Sequence, residues 1–222
     1  MSVGSDLTLY SYFRSSAAFR VRIALGLKGL AADMRFVHLL KDGGAQHGGD
    51  YKKINPLQLV PSLIDHGQVI SQSLAILEYL EEQVPEPPLL PRDAGARARV
   101  RQIALSIACD IHPLNNLRVQ QYLKAELGAD DQARIAWQLH WMALGFEALE
   151  SLLHGDPATG LFCHGDTPSF ADICLVPQMT NARRVKMDLS PYPTLLRIEE
   201  AAYRLPAFVA ARPENQPDAE PV

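Results

Sequence analysis

An apolar run from Leu7 to Phe13 gives way at Arg14-Ser15-Ser16 to helical spacing that continues to Lys28 and stops at Gly29. The pattern predicts a strand over Leu7–Tyr12 and an amphipathic helix over Ser16–Lys28. A second strand is expected at Met34–Leu39, so the first three elements form a parallel βαβ unit. Lys41 to Gly49 is Gly-rich and polar and predicts a loop. Pro61–Asp65 and Gln68–Ile70 flank His66-Gly67, a turn signal, and predict a hairpin. Leu74, Leu77 and Leu80 share one face of a helix over Ser73–Glu82.

Pro85-Glu86-Pro87-Pro88-Leu89-Leu90-Pro91 cannot continue that helix. It is the expected linker, residues 85–92, between an α/β domain at 1–84 and a second domain at 93–222. The second domain reads as helical throughout. A long helix over Ala94–Glu126 is interrupted near His112-Pro113, another spans Asp131–Leu153, and Ser169 with Asp172 forms a capping box for a third.

Composition narrows the function. With 222 residues, 47% hydrophobic and 21% charged, the chain can bury a sizeable core. A net charge of −4 lacks the basic footprint of a nucleic-acid binder. No basic-then-apolar leader is visible from Met1 to Asp6, and no apolar run is long enough to span a membrane, so a cytoplasmic protein is expected. The three cysteines, Cys109, Cys163 and Cys174, read as buried, inert thiols. The seven histidines show no close ligand pairing, so no metal is expected.

The strand-to-helix turn at Ser15 is the first candidate for chemistry. Unpaired N–H groups and the helix dipole bias such a turn toward an anion, and a thiolate is an anion. A serine hydroxyl there adds one donor. Gln72-Ser73 lies at a second helix start, where Ser73 caps the helix, alone or together with a ligand carboxylate. Val60-Pro61 opens a strand. In the cis form it presents a backbone edge to a peptide-like ligand, but a trans proline is the commoner state. Asp110-Ile111-His112-Pro113-Leu114-Asn115-Asn116-Leu117-Arg118 puts polar groups inside an apolar helix, either as a kinked, hydrogen-bonded interior or as a site. Asp172 reads as a cap. Arg97, Arg99 and Arg101 read as a solvated helix face. A guanidinium at Arg183-Arg184 can grip a carboxylate through two parallel bonds.

Together these segments resemble the zeta class of glutathione transferases, the family of maleylacetoacetate and maleylpyruvate isomerases. The likeness is carried by Tyr10 through Ser16, Arg20 through Leu25, Asn55-Pro56 through Pro61, Gln72 through Leu80, Asp110 through Pro113, Leu175 through Gln178, and Asn215 through Asp218. The resemblance implies a thioredoxin-like βαβ-ββα domain that binds glutathione, an all-α second domain, a cis Val60-Pro61 and a homodimer.

It places Ser15 beside the glutathione sulfur and Ser16 and Ala17 in the same turn. It makes Gln46 and Val60 glutathione contacts, and gives the γ-glutamyl group to Gln72 and Ser73. Asp110, His112, Asn116 and Arg118 fall in the segment that closes the cleft, and Arg184 on an arginine proposed to hold a substrate carboxylate. Arg14 is a second candidate clamp, or else a salt-bridged structural residue.

Many family members carry Cys two residues after the serine; this chain has Ala17. The nucleophile must then be glutathione's own thiol. The implied reaction is cis–trans isomerisation of a cis-enedioyl keto acid, maleylacetoacetate to fumarylacetoacetate, in aromatic amino acid catabolism. It would proceed by thiolate addition, rotation and elimination. Maleylpyruvate isomerisation, conjugation of electrophiles and a non-catalytic binding module are the alternatives.

Overall fold

The computed structural model describes residues 6–220. The leader reading on Met1–Ser5 lies outside that range. The chain divides into two compact units, one of residues up to Leu89 together with the stretch from Tyr203 onward, the other of Leu90–Ala202.

In the first unit β1 (Thr8–Ser11), α1 (Ser16–Leu27) and β2 (Asp33–Phe36) form the expected parallel βαβ unit. β3 (Ser62–Asp65) pairs antiparallel with β1, and β4 (Gln68–Ser71) with β3, so the sheet order is β2-β1-β3-β4. The hairpin turn at His66-Gly67 has both residues at positive φ, the condition for a tight turn matched to strand twist. α3 (Ser73–Gln83) packs against α1.

Leu9, Leu63, Val21, Ile23, Ile76, Leu77 and Leu80 are fully buried and form the core beneath the sheet. α1 ends in a left-handed Gly29, with Leu30 N–H bonded to Leu25 O at 2.9 Å, so its last carbonyls are capped by backbone.

Three features of this unit were not expected from the pattern. The loop after β2 contains two short 3₁₀ turns and a helix, α2 (Gly49–Ile54). Lys28 is buried and its ammonium meets Glu81 at 2.7 Å, Val84 O at 2.6 Å and Pro87 O at 3.0 Å. Glu81 in turn accepts the Leu89 amide. This network fixes the end of α3 to the proline-rich segment. Finally, the chain returns after residue 202. α9 (Pro206–Ala210) lies on α1, where Ala207 comes so near Gly26 that a Cβ there would sit 3.1 Å from the alanine methyl. These last residues, expected in the helical domain at 93–222, cluster instead with the first unit.

The second unit holds α4 (Ala94–Leu105), a π-helical turn (Ser106–Ile111), a 3₁₀ turn (Pro113–Asn115), α5 (Leu117–Ala125), α6 (Asp131–Leu153), α7 (Phe170–Arg184) and α8 (Pro193–Ala202). No strand follows Ser71 among the described residues. From Phe170 to Met179 every residue of α7 is buried, which makes it the central helix of its unit. Its start is held by Asp172, whose carboxylate accepts from Ser169 N–H and Oγ at 2.8 Å and Cys163 N–H at 2.7 Å. Burial lifts that carboxyl above its ordinary range while the donors pull it back. The capping role read for Asp172 is therefore its structural position.

Two readings need correction. The guanidinium of Arg99 is not solvated: it donates to Cys163 O at 2.6 Å and Thr159 Oγ1 at 2.9 Å and pairs with Asp156. Arg97 bonds Pro91 O at 3.2 Å, and Arg97, Arg99 and Arg101 are all half-buried. Arg97 and Arg99 tie α4 to neighbouring loops because flexible arginine stems can lie along apolar surface while the head bonds carbonyls. Of the cysteines, Cys163 and Cys174 are buried as expected but Cys109, within the π-helical turn, is exposed.

Candidate active site

Ser15 is the N-cap of α1. Its backbone is extended (φ −71°, ψ 112°) and its Oγ accepts the Ala18 amide at 3.2 Å. Its own N–H is spent on Tyr12 O at 2.9 Å. With one lone pair of the hydroxyl engaged as acceptor, the hydroxyl proton remains to be donated, and intrahelical bonding does not reach the Ala17 amide. Ser16 is buried and Ala17 half-exposed on the same turn. No acidic side chain stands in the first turn of α1 to offset its dipole. Arg14 is half-exposed, its guanidinium carbon 5.3 Å from the centre of the Phe13 ring.

The turn before Ser15 is held from behind by Arg22, 7% exposed, a residue to which the sequence reading gave no role. Its guanidinium donates to Ser11 Oγ at 3.1 Å, Tyr12 O at 3.4 Å and Phe13 O at 3.2 Å. Burial pushes the guanidinium pKa down to about 10, against the upward pull of Asp218.

At the second helix start the cap position belongs to Gln72, not Ser73. Ser73 is the first residue inside α3, buried, and its Oγ accepts from Arg20 Nη1 at 3.1 Å. Gln72 is exposed, at φ 72° and ψ 118°, a conformation costly for a residue with a Cβ. Its side chain makes no capping bond, so the amide group projects beside the start of α3 with its hydrogen-bonding capacity unspent on the helix. Strain of that kind is sustained where a backbone must face a ligand.

Gln46 is 4% exposed; its Nε2 donates to Leu39 O at 3.2 Å, and its Oε1 is buried without a hydrogen-bond partner among the described residues. Val60-Pro61 is cis. Ahead of it, Leu59 O accepts from both Tyr51 Oη and Asn55 Nδ2 at 2.7 Å, while Asn55 Oδ1 accepts the Leu57 amide. Asn55-Pro56 is thus an Asx turn, a signal present in the sequence, whereas nothing local marked Tyr51. Ser15, Gln46, Val60, Gln72 and Ser73 all belong to this one unit.

The remaining candidates lie in the second unit. His112 and Asn116 come together, with Asn116 Nδ2 3.5 Å from His112 Nε2. Asn116 also caps α5, its Oδ1 accepting the Arg118 amide at 3.2 Å. Asp110 and Arg118 are exposed. The segment follows a π-helical turn, closed by His112 N–H to Ile107 O, a feature often found at functional sites. Arg183 forks onto the buried carboxylate of Glu199, at 2.9 and 2.6 Å. Arg184, the last residue of α7, is exposed. No group of three or more His, Cys, Asp or Glu side chains suited to a metal ion occurs among the described residues. None of their helices is long and apolar enough to cross a membrane.

A four-stranded mixed sheet followed by helices, with a serine at the first helix start and a strained glutamine at the third, defines a glutathione transferase fold. Residues 5–82 match the glutathione S-transferase N-terminal domain family. A probable maleylacetoacetate isomerase of Vibrio cholerae is 50% identical, covering 96% of this chain and 99% of its own. A solved bacterial zeta-class maleylpyruvate isomerase superposes with a TM-score of 0.92 at 47% identity, covering 96% of this chain and all of the other. The maleylacetoacetate isomerase of Methylobacterium extorquens, solved with malonate and glutathione bound, gives 0.93 at 41% identity over the same share of this chain and all of its own. The chain belongs to the zeta class of glutathione transferases, the maleylacetoacetate and maleylpyruvate isomerases.

Proposed function

We propose that this protein is a glutathione-dependent cis–trans isomerase that converts maleylacetoacetate to fumarylacetoacetate. The observation that carries the reading is Ser15 at the start of α1, its oxygen bonded to Ala18 N–H and its proton left to donate. The first unit also fits the cofactor elsewhere. Gln46 keeps a buried acceptor without a partner, and Gln72 holds a strained backbone with its amide group exposed.

Glutathione, when bound, supplies the thiol nucleophile and is regenerated. The chain's own residues tune and orient. A thiol of pKa about 8.5 is only ~3% ionised at pH 7. Lowering that pKa by about 1.5 units takes roughly 2 kcal/mol of preferential thiolate stabilisation. One hydroxyl donor plus a helix N-terminus supplies that amount. Ser15 donates its proton without losing it. Gln72 and Ser73 hold the γ-glutamyl end, Val60 the cysteinyl backbone, and Gln46 accepts a ligand N–H. Arg184, exposed at the end of α7, offers a guanidinium for a substrate carboxylate, and Arg14 offers another. The protein works as a homodimer in the cytoplasm, the former open to test by sedimentation.

The decisive experiment follows the ultraviolet change of maleylacetoacetate with enzyme, with and without glutathione, while glutathione is quantified before and after. Isomerisation that requires glutathione and leaves its amount unchanged is the expected result. Consumption of glutathione in step with substrate would make the protein a conjugating transferase instead. A parallel assay with maleylpyruvate, the substrate named for the relative at 47% identity, ranks the two by kcat/KM.

A further inference from the structure

The stretch that returns to the first unit after residue 202 touches three of the elements assigned to the cofactor. Asp218 Oδ2 accepts the Phe13 amide at 2.9 Å, while Phe13 O accepts from Arg22. Both backbone groups of the residue two places before Ser15 are thereby held, one of them by the tail. Arg22 Nε also donates to Ala211 O at 3.1 Å, so a single buried guanidinium joins the tail to the Ser15 turn. Glu220 pairs with Lys41 and lies 3.3 Å from His38 Nε2. His38 Nδ1 accepts the Leu40 and Lys41 amides at 3.2 and 2.8 Å, which folds the loop leading to Gln46. Between them Ala219 packs on the cluster of Tyr12, Phe13, Val37, Tyr51 and Val60.

We propose that residues 211–220 are a strap that positions the glutathione site, with Asp218 holding the Ser15 turn and Glu220 holding the Gln46 loop. The inference rests on the cofactor reading above. A latch that merely added stability would need no such choice of partners. The strap instead meets the backbone just before Ser15, the residues that fold the Gln46 loop, and the apolar cluster containing Val60. Sites that share one mechanical element are coupled in both directions. Strap docking therefore favours glutathione binding, and glutathione binding favours strap docking.

The test is calorimetric titration of glutathione into the full-length wild type, Glu220→Gln, Asp218→Asn and the double variant, with amide hydrogen exchange of each, with and without glutathione. Asp218→Asn and the double variant should bind glutathione roughly tenfold more weakly, within the usual 5–150-fold range of coupled sites. The exposed Glu220 pair should count for less, about two- to threefold alone. Turnover at saturating glutathione should stay within about twofold of wild type, so the loss falls on KM and not kcat. Exchange in 38–48 should quicken in Glu220→Gln, and glutathione should slow exchange over 212–220 in the wild type.

Wild-type affinity in both single variants would overturn the strap while leaving the cofactor reading intact. So would an affinity loss in Glu220→Gln with no change in exchange at 38–48. A wild type that binds no glutathione would remove the cofactor reading and the strap with it. Should Asp218→Asn fail to fold, Glu220→Gln, which alters only the contacts to Lys41 and His38, still decides through its exchange pattern.

Discussion

Ser15 serves two demands with one hydroxyl: its oxygen caps α1 and its proton faces the candidate thiolate site. Ser15→Ala removes both. The lost cap costs about 1 kcal/mol of stability. The lost charge-assisted hydrogen bond, about 1.5–3 kcal/mol, should lower turnover roughly 10- to 100-fold. Titrating the absorbance of the bound thiol against pH checks the cause: its pKa should rise in the variant. Unchanged turnover would remove Ser15 from the mechanism.

Gln72 supports a separate test, because its backbone and its amide group act independently. Gln72→Ala keeps the unfavourable φ and loses the side chain. Gln72→Gly loses the side chain and relieves the conformation. Both should raise KM for glutathione alike, and denaturant titration should find the Gly variant more stable than the Ala variant by about 1 kcal/mol. Neither the positive φ nor the displacement of Ser73 from the cap position could be read from Gln72-Ser73, since either residue can occupy a cap.

At the scale of elements, α7 separates two adjacent arginines. Both are exposed, and Arg183 is bonded in a fork to Glu199, a carboxylate 4% exposed. Arg183→Ala should destabilise by about 1–3 kcal/mol, seen in thermal unfolding, because a buried carboxylate loses its bidentate partner. Arg184→Ala should raise KM for a dicarboxylate substrate, read from steady-state kinetics. An unchanged KM would end its role as a clamp.

The α6 boundaries, Asp131–Leu153, were legible because Asp130 caps a long periodic run. α2 and α9 were not: they span only six and five residues, too few for a helical period to show. The break expected near His112-Pro113 lies within a longer irregular stretch, a π-helical turn followed by a 3₁₀ turn. Proline explains the end of that stretch, while the widened turn before it depends on packing.

For the whole molecule, a ligand that binds only the folded state stabilises it by RT ln(1 + [L]/Kd), about 2.7 kcal/mol at 100 times Kd. Glutathione at that excess should raise the midpoint of thermal unfolding by roughly 5–10 °C for a chain of this size. A thermal-shift series shows it directly, and no shift at millimolar glutathione would argue for a fold that has lost its cofactor.

The alternating strand and helix periods, the hairpin turn, the proline-rich boundary and the serine at the first helix start were all determined by local sequence. Each follows from short-range sterics or from which face a residue must bury. The cis state of Val60-Pro61, the pinning of Arg22 and the return of residues 203–220 to the first unit were decided by tertiary structure alone. They depend on partners up to 205 positions apart, as with Phe13 and Asp218, and no periodicity reports such pairs. The aspartate near the end of the chain looked like a mark of family; folded, it is a hydrogen-bond acceptor for the turn that carries Ser15.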